Sequence, residues 1–394
     1  MAQLHLTVIG AGQMGRSALS ILARHLPEAR ITVIDRSAEN LALAKQATSG
    51  RIEIIQQDVV SQAPDLDGSA LIVNFAGPFF LGSDAVARAA LKAGASYADV
   101  CDDVEGIQAI LDLDSAARSA GVPLITGAGL SPGVANWMAS RILAKHEKCD
   151  GIKIVWVVSE SDPGGLAVLR HMLHMAVAPC PIWRNGVLEY SKGFVPDTAE
   201  TFDLQEPFGR IVAYDTAHPE PITLPLAFPR LRLAQCKGSL MPAWANQAFS
   251  TLGRIGFGHH DLKINIGDQA IEPADFLWRL LWERHRRKAA PKRSAKTMIN
   301  VIGLEGDRPV VMHTITDDSD MSRGTGLGVA AAAIALLQGG AQPGAGGAER
   351  ISADLGLKIF QDLCRESGAF AEGIREIPLP VGNAALSRAA ESIV

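Results

Sequence analysis

The sequence predicts an α/β protein, a doubly wound parallel sheet at the N-terminus followed by an inserted α+β domain. Two observations carry that reading. Over the first 130 residues short apolar, β-rich runs alternate with segments of helical period, which is the pattern of βαβ units. From Gly151 the composition changes to longer strands and proline-rich turns. The length agrees, because 394 residues exceed one ordinary core and suggest two or three domains.

Taken in order, the strands of the first domain read as Leu4–Ile9, Arg30–Ile34, Ile52–Gln56, Ala70–Phe75, Ala95–Val100 and Val122–Thr126. Helices are expected between them at Gly15–His25, Ala38–Ala47, Ser83–Ala93 and Leu111–Ala120, each with small or aliphatic residues on one face. The insert reads through strands Gly151–Ser159, Arg210–Tyr214 and Leu262–Ile266, with proline-rich turns around Pro179–Pro181 and Pro219–Pro229. A hairpin, Thr297–Leu304 and Arg308–Thr316, closes it around Glu305-Gly306-Asp307. Helices follow at Gly324–Leu337 and Ile351–Glu366, joined by a glycine-alanine linker, Gly339–Gly347. The expected domains are 1–130, 131–325 and 326–394, the last packing back on the first.

Composition narrows the partners. Hydrophobic residues at 47%, charged residues at 20% and a net charge of −5 describe a globular chain with no electrostatic reason to bind nucleic acid or an anionic membrane. The dense basic run Arg284–Lys288, with Lys292 and Arg293, reads as a solvated helix end. The longest smooth apolar stretch, Gly328 to Leu337, falls well short of the ~20 residues of a membrane span. Five scattered cysteines form no C-x-x-C pair, so no metal site or disulfide framework is expected. After Met1 the chain enters its first strand directly, without a basic leader region, and the expected location is the cytoplasm.

The first motif with chemistry is Gly10-Ala11-Gly12-Gln13-Met14-Gly15. It follows a strand, opens a helix and sits in a βαβ unit ending in Asp35, which is the context a Rossmann dinucleotide loop requires. Gly10 permits the tight turn, Gly12 leaves room for a pyrophosphate, and Gly15 lets helix and strand approach. Asp35 is placed to accept from ribose hydroxyls, favouring NAD. Arg36 beside it would suit a 2′-phosphate, so NADP stays open, as does FAD. Asp58 and Val59 end the third strand, and Asn74, Ala76, Gly77 and Pro78 end the fourth, where a parallel sheet places its ligands. The Asn74 side chain either touches cofactor or caps the turn.

Near the fifth strand, Tyr97, Cys101 and Asp102 are candidates for handling the proton of a reacting group, with Asp102 first. The alternatives are that Asp99, Asp102 and Asp103 cap a helix beginning near Val104 and that Cys101 is an inert interior thiol. Asn136 and Trp137 fall on the first turn of a helix after Pro132-Gly133, to hold carboxamide or substrate, or to pack. Arg170, His171 and His174 share one helix in the insert, and Arg323 precedes a glycine-rich helix start. Each arginine suits a carboxylate, and each also suits a solvated or hydrogen-bonded face.

These residues resemble the saccharopine dehydrogenase-like family, which includes lysine 6-dehydrogenases, carboxynorspermidine dehydrogenases and homospermidine synthases. The carriers are the GAGQMGR loop from Gly10, the NFAGPF segment Asn74–Phe79, the run Tyr97–Asp103, and Gly127–Asn136, similar to the family's G-x-G-x-x-P-G-[IVL]-x-N. Ser131 stands where the G-L-D-P-G form has an acid. The resemblance implies an NAD(P)-dependent oxidoreductase acting on C–N bonds of amino acids or polyamine precursors, dimeric through the inserted sheet, with a small amine or amino acid as its partner. Hydride transfer to C=C or C=O, and a dinucleotide-binding protein without catalysis, are the alternatives.

Overall fold

A computed structural model describes residues 3–82, 84–159, 166–287, 297–317 and 321–379. The chain forms two compact units, Met1–Arg141 with Ser319–Gly373, and Ile142–Asp318 with Ile374–Val394. The expected boundaries at 130 and 325 differ from these cuts. The helix Val134–Lys145 spans the first cut, and the segment after Gly373 belongs with the insert.

Unit one is built on a seven-stranded sheet in the order Gly344–Gly346, Pro123–Ile125, Ser96–Asp99, Leu71–Asn74, His5–Ile9, Arg30–Asp35, Glu53–Gln56. Every neighbouring pair is parallel, so all the carboxyl ends lie on one edge. The order reverses between His5–Ile9 and Leu71–Asn74, which places the switch point beside the glycine loop. The interior is aliphatic: Ile9, Ile34, Ile72 and Leu124 pack with Tyr97 and with Val86, Ala87 and Ala90 of the helix Asp84–Ala93.

The expected helix Leu111–Ala120 is two helices, Val104–Leu111 and Asp114–Ala120. The expected linker Gly339–Gly347 is corrected more substantially. Its residues Gly344–Gly346 are a buried strand that pairs with Pro123–Ile125. Glycine composition suggested freedom, yet side chains are what a strand packed under Arg350 and Asp114 must lack: a Cβ at Gly346 would lie 2.2 Å from Arg350 Cδ.

The helix Met321–Leu337 also belongs to unit one and packs on its small residues. A Cβ at Gly326 would lie 2.6 Å from Ser17 Oγ, and one at Gly328 would lie 2.2 Å from the Gly129 carbonyl oxygen. The glycine spacing therefore brings this helix against both the helix Gln13–His25 and the turn after the sixth strand.

Unit two is a nine-stranded mixed sheet with the path Glu200–Asp203, Arg210–Asp215, Leu233–Met241, Gly151–Ser159, Thr297–Glu305, Arg308–Asp317, Arg375–Pro378, and with Pro179–Arg184 and Val187–Lys192 beside it. The predicted Thr297/Arg308 hairpin is present. Two proline-rich stretches read as turns are regular elements. Pro179–Arg184 is a strand, and only Ile182, Trp183 and Arg184 pair with Leu233–Met241, so its prolines need no donor on that side. Glu220–Ala227 is a helix that starts with Pro221 in its first turn, where a missing N–H is tolerated. The predicted strand Leu262–Ile266 shortens to Ile264–Ile266, in an exposed two-stranded ribbon. Of the basic run, Lys288, Lys292 and Arg293 lie outside the described residues, as does Ser83 of the predicted third helix.

Candidate dinucleotide site in unit one

The first strand ends at Ile9, and Gly10 turns the chain at φ +88°, a conformation that favours glycine. A Cβ there would lie 2.8 Å from the Phe75 carbonyl carbon, so the loops after the first and fourth strands touch at the switch point. Gly15 is required by packing, because its Cβ would lie 2.0 Å from the Gly10 oxygen. Gly12 is different. It is the N-cap of the helix Gln13–His25, with an ordinary φ of −62°, and a Cβ on it would meet nothing among the described residues within 4 Å.

Its N-cap residue, a glycine, has no side chain with which to cap the helix, and its first turn carries no acidic residue. The amides of Gln13, Met14 and Gly15 therefore end the helix at its positive pole without a carboxylate, which is the chemistry that receives phosphate. A glycine that neither backbone nor packing demands, at the mouth of such an N-terminus, fits the dinucleotide.

Asp35 is buried at the end of the second strand. Its Oδ2 accepts from the Ala11 amide at 2.6 Å and its Oδ1 from the Ser37 amide at 2.7 Å, so the carboxylate braces the loop. Arg16, which follows the motif at once, donates to the Ala11 oxygen at 2.7 Å and holds the other side of the turn. Burial lowers the pKa of this guanidinium, partly offset by the charges of Asp35 and Glu39. Arg36 is exposed.

Around this loop the candidates divide by exposure. Ala76, Gly77 and Pro78 are partly exposed on the loop beside Gly10. Asp58 is partly exposed too, and its Oδ1 accepts from the Val60 amide, whereas Val59 is a core residue. Asn74 is buried: its Nδ2 donates to Tyr97 Oη at 3.0 Å and its Oδ1 accepts from the Ala76 amide at 3.0 Å. Its side chain shapes the loop.

Tyr97 and Cys101 are enclosed, each at 0% exposure. Burial and the nearby Asp99 charge push the tyrosine hydroxyl well up, and burial with the carboxylates at 99, 103 and 102 does the same to the thiol. Neither is placed as a ready proton donor or nucleophile. Asp99, equally buried, accepts through Oδ1 from the amides of Cys101 and Gly127 at 3.0 and 2.8 Å and from Thr126 Oγ1 at 2.8 Å. Burial raises its pKa against these hydrogen bonds. Asp103 Oδ2 accepts from the Phe80 amide at 3.0 Å, tying the fourth- and fifth-strand loops together. Asp102 is half-buried, the most accessible of the three catalytic candidates.

The turn Gly127–Asn136 folds on itself. Gly127 has φ +67° and Gly133 has φ +128°, and a Cβ at Gly133 would lie 2.0 Å from the Gly129 oxygen. Asn136 Oδ1 accepts from the Gly133 amide at 2.9 Å while its Nδ2 donates to Glu349 Oε2 at 2.7 Å. Trp137 is fully buried, donates from Nε1 to the Ala348 oxygen at 2.8 Å and packs on Gly356. Arg323 donates to the Ser367 oxygen and so holds a helix C-terminus. In unit two the Arg170 guanidinium lies 5.4 Å from the Trp278 ring centre, and His171 is buried with its ring edge-on to His218.

Of the loop-bracing residues, Asp99 and Asp103 were read from the sequence only as helix caps, and Glu349 was not read at all. Asp99 reaches the Gly127 amide across 28 residues, Asp103 the Phe80 amide across 23 and Glu349 the Asn136 side chain across 213, so no local spacing signals these partners.

Residues 6–125 match the family model for the saccharopine dehydrogenase NADP binding domain. Among solved structures, the apo histidine-tagged saccharopine dehydrogenase (L-Glu forming) from Saccharomyces cerevisiae is similar at a TM-score of 0.66 and 13% identity, covering 96% of this chain and 100% of that one. That likeness is one of fold. GenD2 from gentamicin A biosynthesis, in complex with NAD, is similar over 97% of each chain at 14% identity and a TM-score of 0.42. Among the described residues no helix is long and apolar enough to cross a membrane.

Proposed function

We propose, from the premise that residues 6–125 form a saccharopine dehydrogenase-type NAD(P)-binding domain, that this protein is an oxidoreductase of the C–N bond. Its substrate would be an amino acid or polyamine-type amine, interconverted with the corresponding imine. The observation that carries the cofactor half is Gly12, a glycine that the chain's own packing leaves unexplained.

The backbone from Gly10 to Gly15 would hold the pyrophosphate, Asp35 would face the adenosine ribose, and Ala76 to Pro78 would line the path beyond. When bound, the nicotinamide supplies a two-electron hydride acceptor or donor. A carboxylate at Asp35 that already braces Ala11 favours ribose hydroxyls over a 2′-phosphate, by charge, and supports NAD over NADP.

Asp102 is the candidate for moving the amine proton and stabilising an iminium, because it is the accessible carboxylate on the fifth-strand loop. Tyr97 and Cys101 would position that loop through Asn74 and Asp103. A screen of amines and oxo-acids with both cofactors, following the absorbance of reduced nicotinamide, tests the reading. Amine-dependent turnover that falls about 10²-fold or more in Asp102→Asn supports it; turnover only with carbonyl or enoyl substrates would refute the C–N assignment.

A further inference from the structure

We propose that unit two carries a cation site of zinc type, with His218, Glu220 and Cys236 as its protein ligands. One ligand atom from each lies within 4.8 Å of the other two. The residues are interior, at 6%, 1% and 1% exposure.

Several features make this a built site. His218 Nδ1 is buried and has no hydrogen-bond partner among the described residues. It stands 3.4 Å from Glu220 Oε2, within ion-pair reach but outside hydrogen-bond geometry. Ligands about 2.0–2.3 Å from a tetrahedral zinc stand ~3.3–3.7 Å apart, so this pair already has the separation a shared ion imposes. The third ligand must close by at most about 1 Å to reach it.

The backbone presents the three together. Cys236 lies mid-way along the central strand Leu233–Met241, and the Thr216 amide donates to its carbonyl oxygen at 3.3 Å. The His218 amide donates in turn to the Thr216 oxygen at 2.8 Å, which turns the chain so that Glu220 opens the helix Glu220–Ala227. The surroundings are aromatic, with the Trp156 and His171 rings 5.6 and 5.9 Å from the His218 ring.

Chemistry selects the ion. Imidazole, carboxylate and thiolate suit zinc, whereas calcium and magnesium take oxygen alone. Burial places a carboxylate and a thiol side by side; a dication binding there would displace the thiol proton to solvent and be held by the thiolate and the carboxylate. With three protein ligands a water completes the tetrahedron. The ion would join the His218–Glu220 segment to the strand Leu233–Met241, with its fourth position open to water.

The test uses the untagged full chain, stripped with a chelator and re-equilibrated with zinc alone. We expect about one zinc retained per chain, with one sulfur at ~2.3 Å and nitrogen or oxygen at ~2.0–2.1 Å in the X-ray absorption spectrum. Cobalt in its place should give a sulfur-to-metal charge-transfer band. Cys236→Ser should lose that band and weaken binding at least ~10-fold, while Cys149→Ser keeps both. Should Cys236→Ser fail to fold, the absorption spectrum of the wild-type protein decides alone. Sub-stoichiometric zinc, a first shell without sulfur, or unchanged affinity in folded Cys236→Ser would overturn the site.

Discussion

Replacing Gly12 separates ligand geometry from protein geometry more cleanly than any other substitution in the loop. A valine there keeps an ordinary φ of −62° and its Cβ meets no described atom within 4 Å, so the expected cost is that of a poorer N-cap, up to about 1 kcal/mol. For a unit of this size that is a fall of roughly 2–4 °C in Tm. Gly15→Ala is the counterpart. Its Cβ would stand 2.0 Å from the Gly10 oxygen, so the loop or the helix must move by about 1 Å or more, at about 3 kcal/mol and ~6–12 °C. Cofactor affinity should order the other way round relative to stability. Gly12→Val puts two methyl groups where the pyrophosphate would lie and should weaken NADH and NADPH alike by at least about 100-fold, or ~2.7 kcal/mol. Titrating reduced-nicotinamide fluorescence, with a thermal melt of each variant, reads both quantities. A Gly12→Val protein that melts normally and binds within about twofold of wild type would refute the phosphate assignment. One that fails to fold would refute the packing argument.

Other substitutions probe the braces. Asn136→Ala removes the acceptor of the buried Gly133 amide and the donor to Glu349, and should cost about 2–4 kcal/mol in denaturant unfolding; a loss under ~0.5 kcal/mol would show that the turn stands without it. For Asp99 the folded pKa is raised by burial, so its contribution to stability is present at low pH and is lost as pH rises from the ordinary carboxylate range through the folded value. Asp99→Asn should remove that component from the pH dependence of unfolding, and an unaltered profile would count against the assignment. Wild-type protein should favour NADH over NADPH; a clear preference for NADPH, abolished by Arg36→Ala, would transfer specificity from Asp35 to Arg36. Finally, all five cysteines are buried, so a thiol reagent should label the native protein slowly and all five after denaturation, with rapid native labelling the contrary result.

The parallel sheet was legible because its strands are continuous apolar runs and its loop is a contiguous motif. Asp35 and the glycines announced themselves by spacing. What stayed hidden depends on distant partners. Gly344–Gly346 has no β-forming side chain, and its strand exists because Pro123–Ile125 offers an edge. The helix Glu220–Ala227 carries two prolines and so reads as a turn, although one occupies the tolerated first turn. Tyr97, Asn74, Asn136 and Trp137 were recognised as noteworthy from their motifs, but a sequence does not say which way a side chain faces. The structure turns all four inward, where they hold the loops. The metal ligands were missed for a related reason, since His218 and Glu220 join Cys236 across 16 residues without a repeated ligand spacing.

The strand Gly344–Gly346 also bears on how the protein is made. About 220 residues separate it from the strand it joins, and at ~5–20 residues per second a ribosome needs ~10–40 s to deliver them. For most of that interval the nascent N-terminal unit has neither its seventh strand nor the helix Met321–Leu337 that packs on its glycine-loop helix. The edge left waiting is three residues long and begins with a proline, features that discourage pairing with a neighbouring chain. A fragment ending near Arg141 would keep the complete nucleotide motif yet expose the seat of that helix, so chaperone engagement and solubility should change abruptly as chain length passes Gly346.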